Sequence, residues 1–199
     1  FYLFSLSVWY LLDIKKIFLK VFCFFLLITF LISIRDGYYQ FINGENIFGI
    51  KASIQPRSVL LLDDKMILGG YLSRLLPLLI ACLLIVYSKN KKLIFILLFL
   101  FISVDLLVYL TGERTALAIM ILSTLMFIIF VSKFKFIRLI TFFVSITIII
   151  SVSVFSDSIR ERNIDQTINQ LGLNNESDKT YMFSPVHDSH YRTALNIFL

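Results

Sequence analysis

Charge is scarce in this chain: 16% of its 199 residues are Asp, Glu, Lys or Arg, 58% are hydrophobic, and the mean hydropathy is +0.87. A soluble enzyme of this size needs far more polar surface, so a water-soluble core is excluded and a membrane-embedded chain is expected. Cysteine is rare too. Cys23 and Cys82 each lie inside an apolar run, which leaves no disulfide framework and no cysteine metal motif. Histidine occurs twice, at His187 and His190, without a His-Glu-x-x-His pattern, so no metal and no cofactor is expected. There is no low-complexity tract and no internal repeat. The net charge of +6 does not point to nucleic acid, because the cations lie between apolar runs.

Those runs dominate the chain. A bilayer core of about 30 Å needs roughly 20 apolar residues in a helix. Segments 17–34, 67–88, 93–111, 115–132 and 138–156 approach that length, and 1–12 reads as part of another. The expected fold is all-α, a polytopic transmembrane helix bundle of about six spans over residues 1–156. Residues 35–66 form an outward loop, and 157–199 open a large outward segment. Phe1 in place of an initiator Met and the apolar stop at Leu199 lead us to expect an internal piece of a longer chain.

Cytoplasmic loops carry an excess of Lys and Arg. Lys15, Lys16, Lys20, Lys89, Lys91, Lys92, Lys133, Lys135 and Arg138 fall on one side of the proposed spans, opposed there by Asp13 alone. The other side holds nine cations and eleven carboxylates. The lysine-rich side is therefore read as cytoplasmic and the opposite side as outward. Residues 191–198 return to helical spacing through Tyr191, Ala194, Leu195 and Phe198, so a helix is expected from about His190.

Ionisable residues at membrane depth are costly and mark function or a structural pair. Arg74, about eight residues into its span, and Asp105, about six residues from the end of the next, have similar depth. Either they neutralise each other and pin two helices, or Arg74 borders an anionic substrate. Arg114, in Thr111-Gly112-Glu113-Arg114-Thr115-Ala116-Leu117, starts a helix at a short turn, where the dipole favours an anion. Arg57, in Gln55-Pro56-Arg57-Ser58, lies on the outward loop. Guanidinium groups on one face suit two-pronged binding of a pyrophosphate. His187 and His190, with Asp188 between them, are either a general base and its neighbour or a polar loop pair without chemistry.

Three stretches together resemble the O-antigen ligase and O-antigen polymerase superfamily of bacterial inner-membrane glycosyltransferases. They are the loop arginine followed by Asp63-Asp64 and the glycine-led segment Gly69-Gly70-Tyr71-Leu72-Ser73-Arg74, the Thr111-Gly112-Glu113-Arg114 turn, and His187-Asp188-Ser189-His190-Tyr191-Arg192. The resemblance covers most of the chain from about Arg57 onward, through short motifs whose order carries the likeness. It implies an inner-membrane, multi-pass, metal-independent transferase. This moves a glycan from undecaprenyl pyrophosphate to lipid A core or to another repeat unit at the periplasmic face. Membrane lipids are expected around the chain and no nucleic acid. Arg57 and Arg114 match positions that would hold the pyrophosphate, with Arg74 a further candidate. The family's catalytic histidine stands in a His-Asn type motif, whereas Asp188 and Tyr191 follow the two histidines here. The base is thus His190 or His187, or a histidine past Leu199. A transporter or flippase is the alternative from another class.

Overall fold

The structure, a computed structural model, describes Tyr10, residues 16–51 and 67–155, and beyond these Arg160, Glu161, Asp165, Ile168, Tyr191 and residues 193–197. Five α-helices follow in order: α1 (Lys16–Asn43), α2 (Leu68–Tyr87), α3 (Leu93–Leu110), α4 (Arg114–Phe130) and α5 (Lys135–Phe155), the last entered through the short 3-10 turn Ser132–Phe134. Among the described residues the one strand-like contact is an isolated bridge between Glu45 and Lys51. The fold class is all-α as expected. Four helices are long and apolar enough to cross a membrane, namely α1, α2, α3 and α5 with its lead-in turn, and α4 is a shorter apolar helix of 17 residues. The expected partial span at 1–12 lies outside the described residues except for Tyr10, which is helical.

Phe1–Ile150 form one compact unit and Ser151–Leu199 a second. In the second, Tyr191 and residues 193–197 are helical, where the apolar spacing places a helix. In the first, α2 is the central helix and packs against α1, α3 and α4. Apolar burial gives helices in lipid little reason to associate, so close approach and interhelical hydrogen bonds must hold them. Small residues serve that purpose: Cys23, Ser73, Cys82 and Ala116 are all buried. Gly37 of α1 is the tightest case. A methyl group built on it would stand 2.7 Å from Leu107 Cδ2 of α3 and 3.0 Å from Leu68 Cδ2 of α2, so α1 reaches both neighbours only because no side chain intervenes.

The outward loop expected over 35–66 begins later than its polar residues indicate. Helix α1 runs through Arg35, Asp36 and Gly37 to Asn43, and Gly44, at φ +78°, ends it with its N–H on the Gln40 carbonyl. Asp36 does not break the helix because its carboxylate is buried and satisfied, accepting from Gln40 Nε2 at 2.6 Å and from the Ile47 N–H at 2.9 Å. Tyr38 is half-buried, and its hydroxyl donates to the Ser103 carbonyl at 2.9 Å.

One end of the bundle carries Lys89, Lys91 and Lys92 between α2 and α3, with Lys133 and Lys135 at the start of α5; Lys133 Nζ reaches the Ser88 carbonyl at 3.5 Å. The starts of α2 and α4 lie at the opposite end, with Gly112 between α3 and α4.

Candidate functional site

The Thr111-Gly112-Glu113-Arg114 turn gives each residue a separate task. Thr111 is buried and closes α3 by donating its hydroxyl to the Val108 carbonyl at 2.8 Å. Gly112 turns the chain at φ +65°, a left-handed conformation that costs an L-residue roughly 1–2 kcal/mol. Glu113 is extended, and Arg114 is the first residue of α4, as its position after a short turn implies.

Glu113 does not cap its own helix. Helix α2 opens after Ile67, a residue with no capping oxygen, and its second and third N–H groups need an acceptor. Glu113 supplies both: Gly69 N–H donates to Oε1 and Gly70 N–H to Oε2, each at 2.8 Å. A carboxylate from one turn thus caps a helix more than 40 residues earlier, and it also offsets the positive end of the α2 dipole. Gly69 is required for the approach, since a side chain on it would strike the Thr111 hydroxyl. Neither Glu113 nor the glycine pair was singled out as a contact by sequence reasoning. The signal was a helix start lacking Ser, Thr, Asp or Asn.

The clamp brings two helix starts together around a chamber of about 490 Å³, lined by Gly70, Tyr71 and Arg74 of α2 and by Glu113, Thr115 and Ile119 of the turn and α4. Arg74 is exposed and lines this chamber one turn below Gly70. Arg114 is half-buried and stands in sequence between two lining residues without itself lining the wall. The chamber wall thus carries the Arg74 guanidinium and the Glu113 carboxylate beside the start of α4, whose N-cap residue makes no side-chain cap bond.

Below the chamber, the same seam continues as an apolar groove of about 460 Å³ between α2 and α4, lined by Pro77, Ile80, Leu84, Leu122, Met126 and Phe130 among others. Ile119 lines both spaces, so the arginine-bearing chamber and the apolar groove adjoin. Pro77 contributes to this opening, because it cannot donate to the Ser73 carbonyl and its ring replaces a backbone bond on that face.

The deep charges are arranged otherwise than sequence depth indicates. Asp105 does not meet Arg74. It is held by Arg138, with Nη1 donating to Oδ2 at 2.7 Å and Nη2 to Oδ1 at 3.0 Å. Arg138 Nη2 also donates to the Thr124 hydroxyl of α4, and the guanidinium lies 4.4 Å from the centroid of the Phe101 ring. Arg138, counted among the cytoplasmic cations, is instead buried to 1% exposure three residues into α5. The expected pairing failed because depth was compared at Cα, whereas an extended arginine reaches several ångströms along the bundle. Arg138, Thr141 and Ser145 form a buried stripe at helical spacing on α5, continued by the buried Phe134 of the lead-in turn. That stripe, polar within an apolar helix, was the available signal for an inward-facing Arg138. Arg138 Nε and Ser145 Oγ are buried without a hydrogen-bond partner among the described residues.

Arg57, His187 and His190 lie outside the described residues, so of the five candidate site residues the structure positions Arg74 and Arg114. Among the described residues no group of three or more His, Cys, Asp or Glu side chains could hold a metal ion. No family model, curated protein or solved structure matches the chain.

Proposed function

We propose that the chain belongs to a multi-pass bacterial inner-membrane glycosyltransferase of the O-antigen ligase or polymerase type, with about six spans over residues 1–156 and the Gly112 end facing the periplasm. The observation that carries this reading is the α2–α4 seam: an arginine-bearing chamber at one end of the bundle that shares Ile119 as a wall residue with an apolar groove along the helices. An amphiphile with an anionic head and a hydrocarbon tail has that shape and polarity. A polyprenyl pyrophosphate is the donor that fits it.

Transfer then proceeds by attack of an acceptor hydroxyl, on lipid A core or a growing glycan, at the anomeric carbon of the donor. The bond from that carbon to the pyrophosphate oxygen breaks, and the electron pair leaves with the lipid pyrophosphate. Arg74 on the chamber wall, helped by Arg114 at the adjoining start of α4 and by Arg57, stabilises the charge that grows on the leaving group, the role that fixed cations serve most effectively in catalysis. His190, or His187, takes the hydroxyl proton. Glu113 keeps the two helix starts in register, and with them Arg74 and Arg114.

The alternative of a transporter or flippase draws on the deep Asp105–Arg138 pair. That pair is two-pronged, bonded to a third helix through Thr124 and closed over by Phe101, which is the arrangement of a helix pin.

The test is transfer by the purified full-length protein from an undecaprenyl pyrophosphate-linked glycan. Arg114→Lys, which keeps the charge and loses the planar fork, and Arg74→Gln should each lower the rate by about a hundredfold, the scale for loss of one charge-stabilising donor. EDTA should leave transfer intact. Full activity in both variants would overturn the assignment of the arginines.

A further inference from the structure

After α1 ends, the chain makes a tight hairpin whose corner residues are of an unusual kind. Asn46 and Ile50 pair through the Asn46 N–H and the Ile50 carbonyl at 2.9 Å, Glu45 and Lys51 bridge beyond them, and the Gly49 N–H closes the turn on the Asn46 carbonyl at 2.8 Å. Gly49 adopts φ +80°. The buried Asn46 side chain fills the turn from inside, its Oδ1 accepting from the N–H groups of Phe48 at 3.0 Å and Ile50 at 2.8 Å. The two central positions are therefore Ile47 and Phe48. Turn corners are dominated by Gly, Pro, Asn, Asp and Ser, which supply the backbone angles and local hydrogen bonds that a turn needs. Here Ile47 is 45% and Phe48 62% exposed.

The depth of this corner is fixed. The Ile47 N–H donates to Asp36 Oδ1 at 2.9 Å, so the hairpin folds back along α1 instead of extending away from it. Asp36 precedes Gly37, which lies against Leu107, one turn from the end of α3, and against Leu68, the first residue of α2. The apolar corner is thus tied to the level at which two apolar helices end. Phe41 and Ile42 near the end of α1 are exposed as well, and Lys51 Nζ pairs with Glu45 Oε2 at 3.9 Å beyond the turn. An apolar tip flanked by the Lys51–Glu45 ion pair and held at the end of the apolar belt matches the interfacial zone of a bilayer, where hydrocarbon meets polar headgroups.

We infer that Ile47 and Phe48 form a rigid membrane-interface anchor, inserted among the lipid headgroups and upper acyl chains of the leaflet at the Gly112 end. The inference rests on the membrane-spanning reading of the bundle and not on the transferase reading. Lys51, its Nζ 3.9 Å from Glu45 Oε2, forms with that carboxylate an ion pair at the rim of the anchor.

The test places single tryptophans in the full-length protein. Trp9, the sole tryptophan of the sequence, is replaced by Phe, and Phe48→Trp and Phe25→Trp are made separately in that background. Each is reconstituted in phosphatidylcholine and phosphatidylglycerol vesicles whose acyl chains are brominated near the headgroup or near the tail end. Phe48→Trp should be quenched more by the shallow bromine than by the deep one and be shielded from aqueous iodide. Phe25→Trp, on the exposed face of α1, reports whether the helix is in lipid at all. Quenching of the position-48 tryptophan by iodide and not by bromine, or by neither, while the position-25 tryptophan responds to bromine, would overturn the anchor and leave the membrane reading standing. Absence of bromine quenching at both positions would overturn both.

Discussion

The Asp105–Arg138 pair illustrates how a buried charge is tolerated in this fold. Its carboxylate and guanidinium match in two bonds, a hydroxyl from a third helix takes another donor, and an aromatic ring covers the cation. Removing one partner strands the other, which typically costs 3–5 kcal/mol for a buried pair, whereas replacing both by apolar residues of similar size is often neutral. Asp105→Leu alone should therefore lower the thermal stability of the detergent-purified protein strongly, and Asp105→Leu with Arg138→Met should recover most of the loss. Asp105→Ala and Arg74→Ala should be additive, since the two side chains do not meet. A non-additive Arg74 cycle in thermal unfolding would contradict the pairing observed. Arg74 is then left for the chamber, where its loss should lower activity far more than stability.

At the scale of the helix, two contacts determine how the elements meet. Gly37 admits Leu107 and Leu68, so Gly37→Val overpacks a full interface and should cost about 1–3 kcal/mol, with Leu107→Ala in the same chain relieving part of it. Glu113 caps α2 from another turn, and Glu113→Gln retains one acceptor while placing an amide against a backbone N–H. It should destabilise by about 1–2 kcal/mol, within the range for lost caps, as read by chemical denaturation. The helices at 67–88, 93–111 and 115–132 were legible because apolar runs bounded by charge or glycine read directly as apolar helices. The end of α1 was not, because Asp36 and Gln40 look like loop residues until Asp36 is seen to satisfy the hairpin that follows. Arg138 was misplaced for a related reason: its position beside Lys133 and Lys135 reads as a cytoplasmic cluster, and only the Thr141 and Ser145 spacing points inward.

For the whole molecule, the proposed orientation rests on the alternation of cations along the chain, and Lys89, Lys91, Lys92, Lys133 and Lys135 remain at one end of the bundle after Arg138 is removed from the count. Cysteines at Ser53 and Ser177, in a Cys23→Ser and Cys82→Ser background, should react with an impermeant thiol reagent added from the periplasmic side, and one at Asn90 should not; the reverse pattern would place the chamber in the cytoplasm. The site itself was half legible. The Thr111–Arg114 turn announced a helix start with an arginine. Its partner at Gly69 and Gly70 lies more than 40 residues away, and nothing in local spacing joins them.

The central claim is that the α2–α4 seam receives one amphiphile, head in the chamber and tail in the groove. Ile119, which borders both, is the place to ask. The most direct measurement is the rate of N-ethylmaleimide modification of Ile119→Cys, in the same cysteine-free full-length background, with and without undecaprenyl pyrophosphate. The account predicts that undecaprenyl pyrophosphate slows modification in a saturable way, while inorganic pyrophosphate and undecaprenol each protect far less at the same concentration. An unchanged rate with undecaprenyl pyrophosphate, or equal protection by undecaprenol, would contradict it.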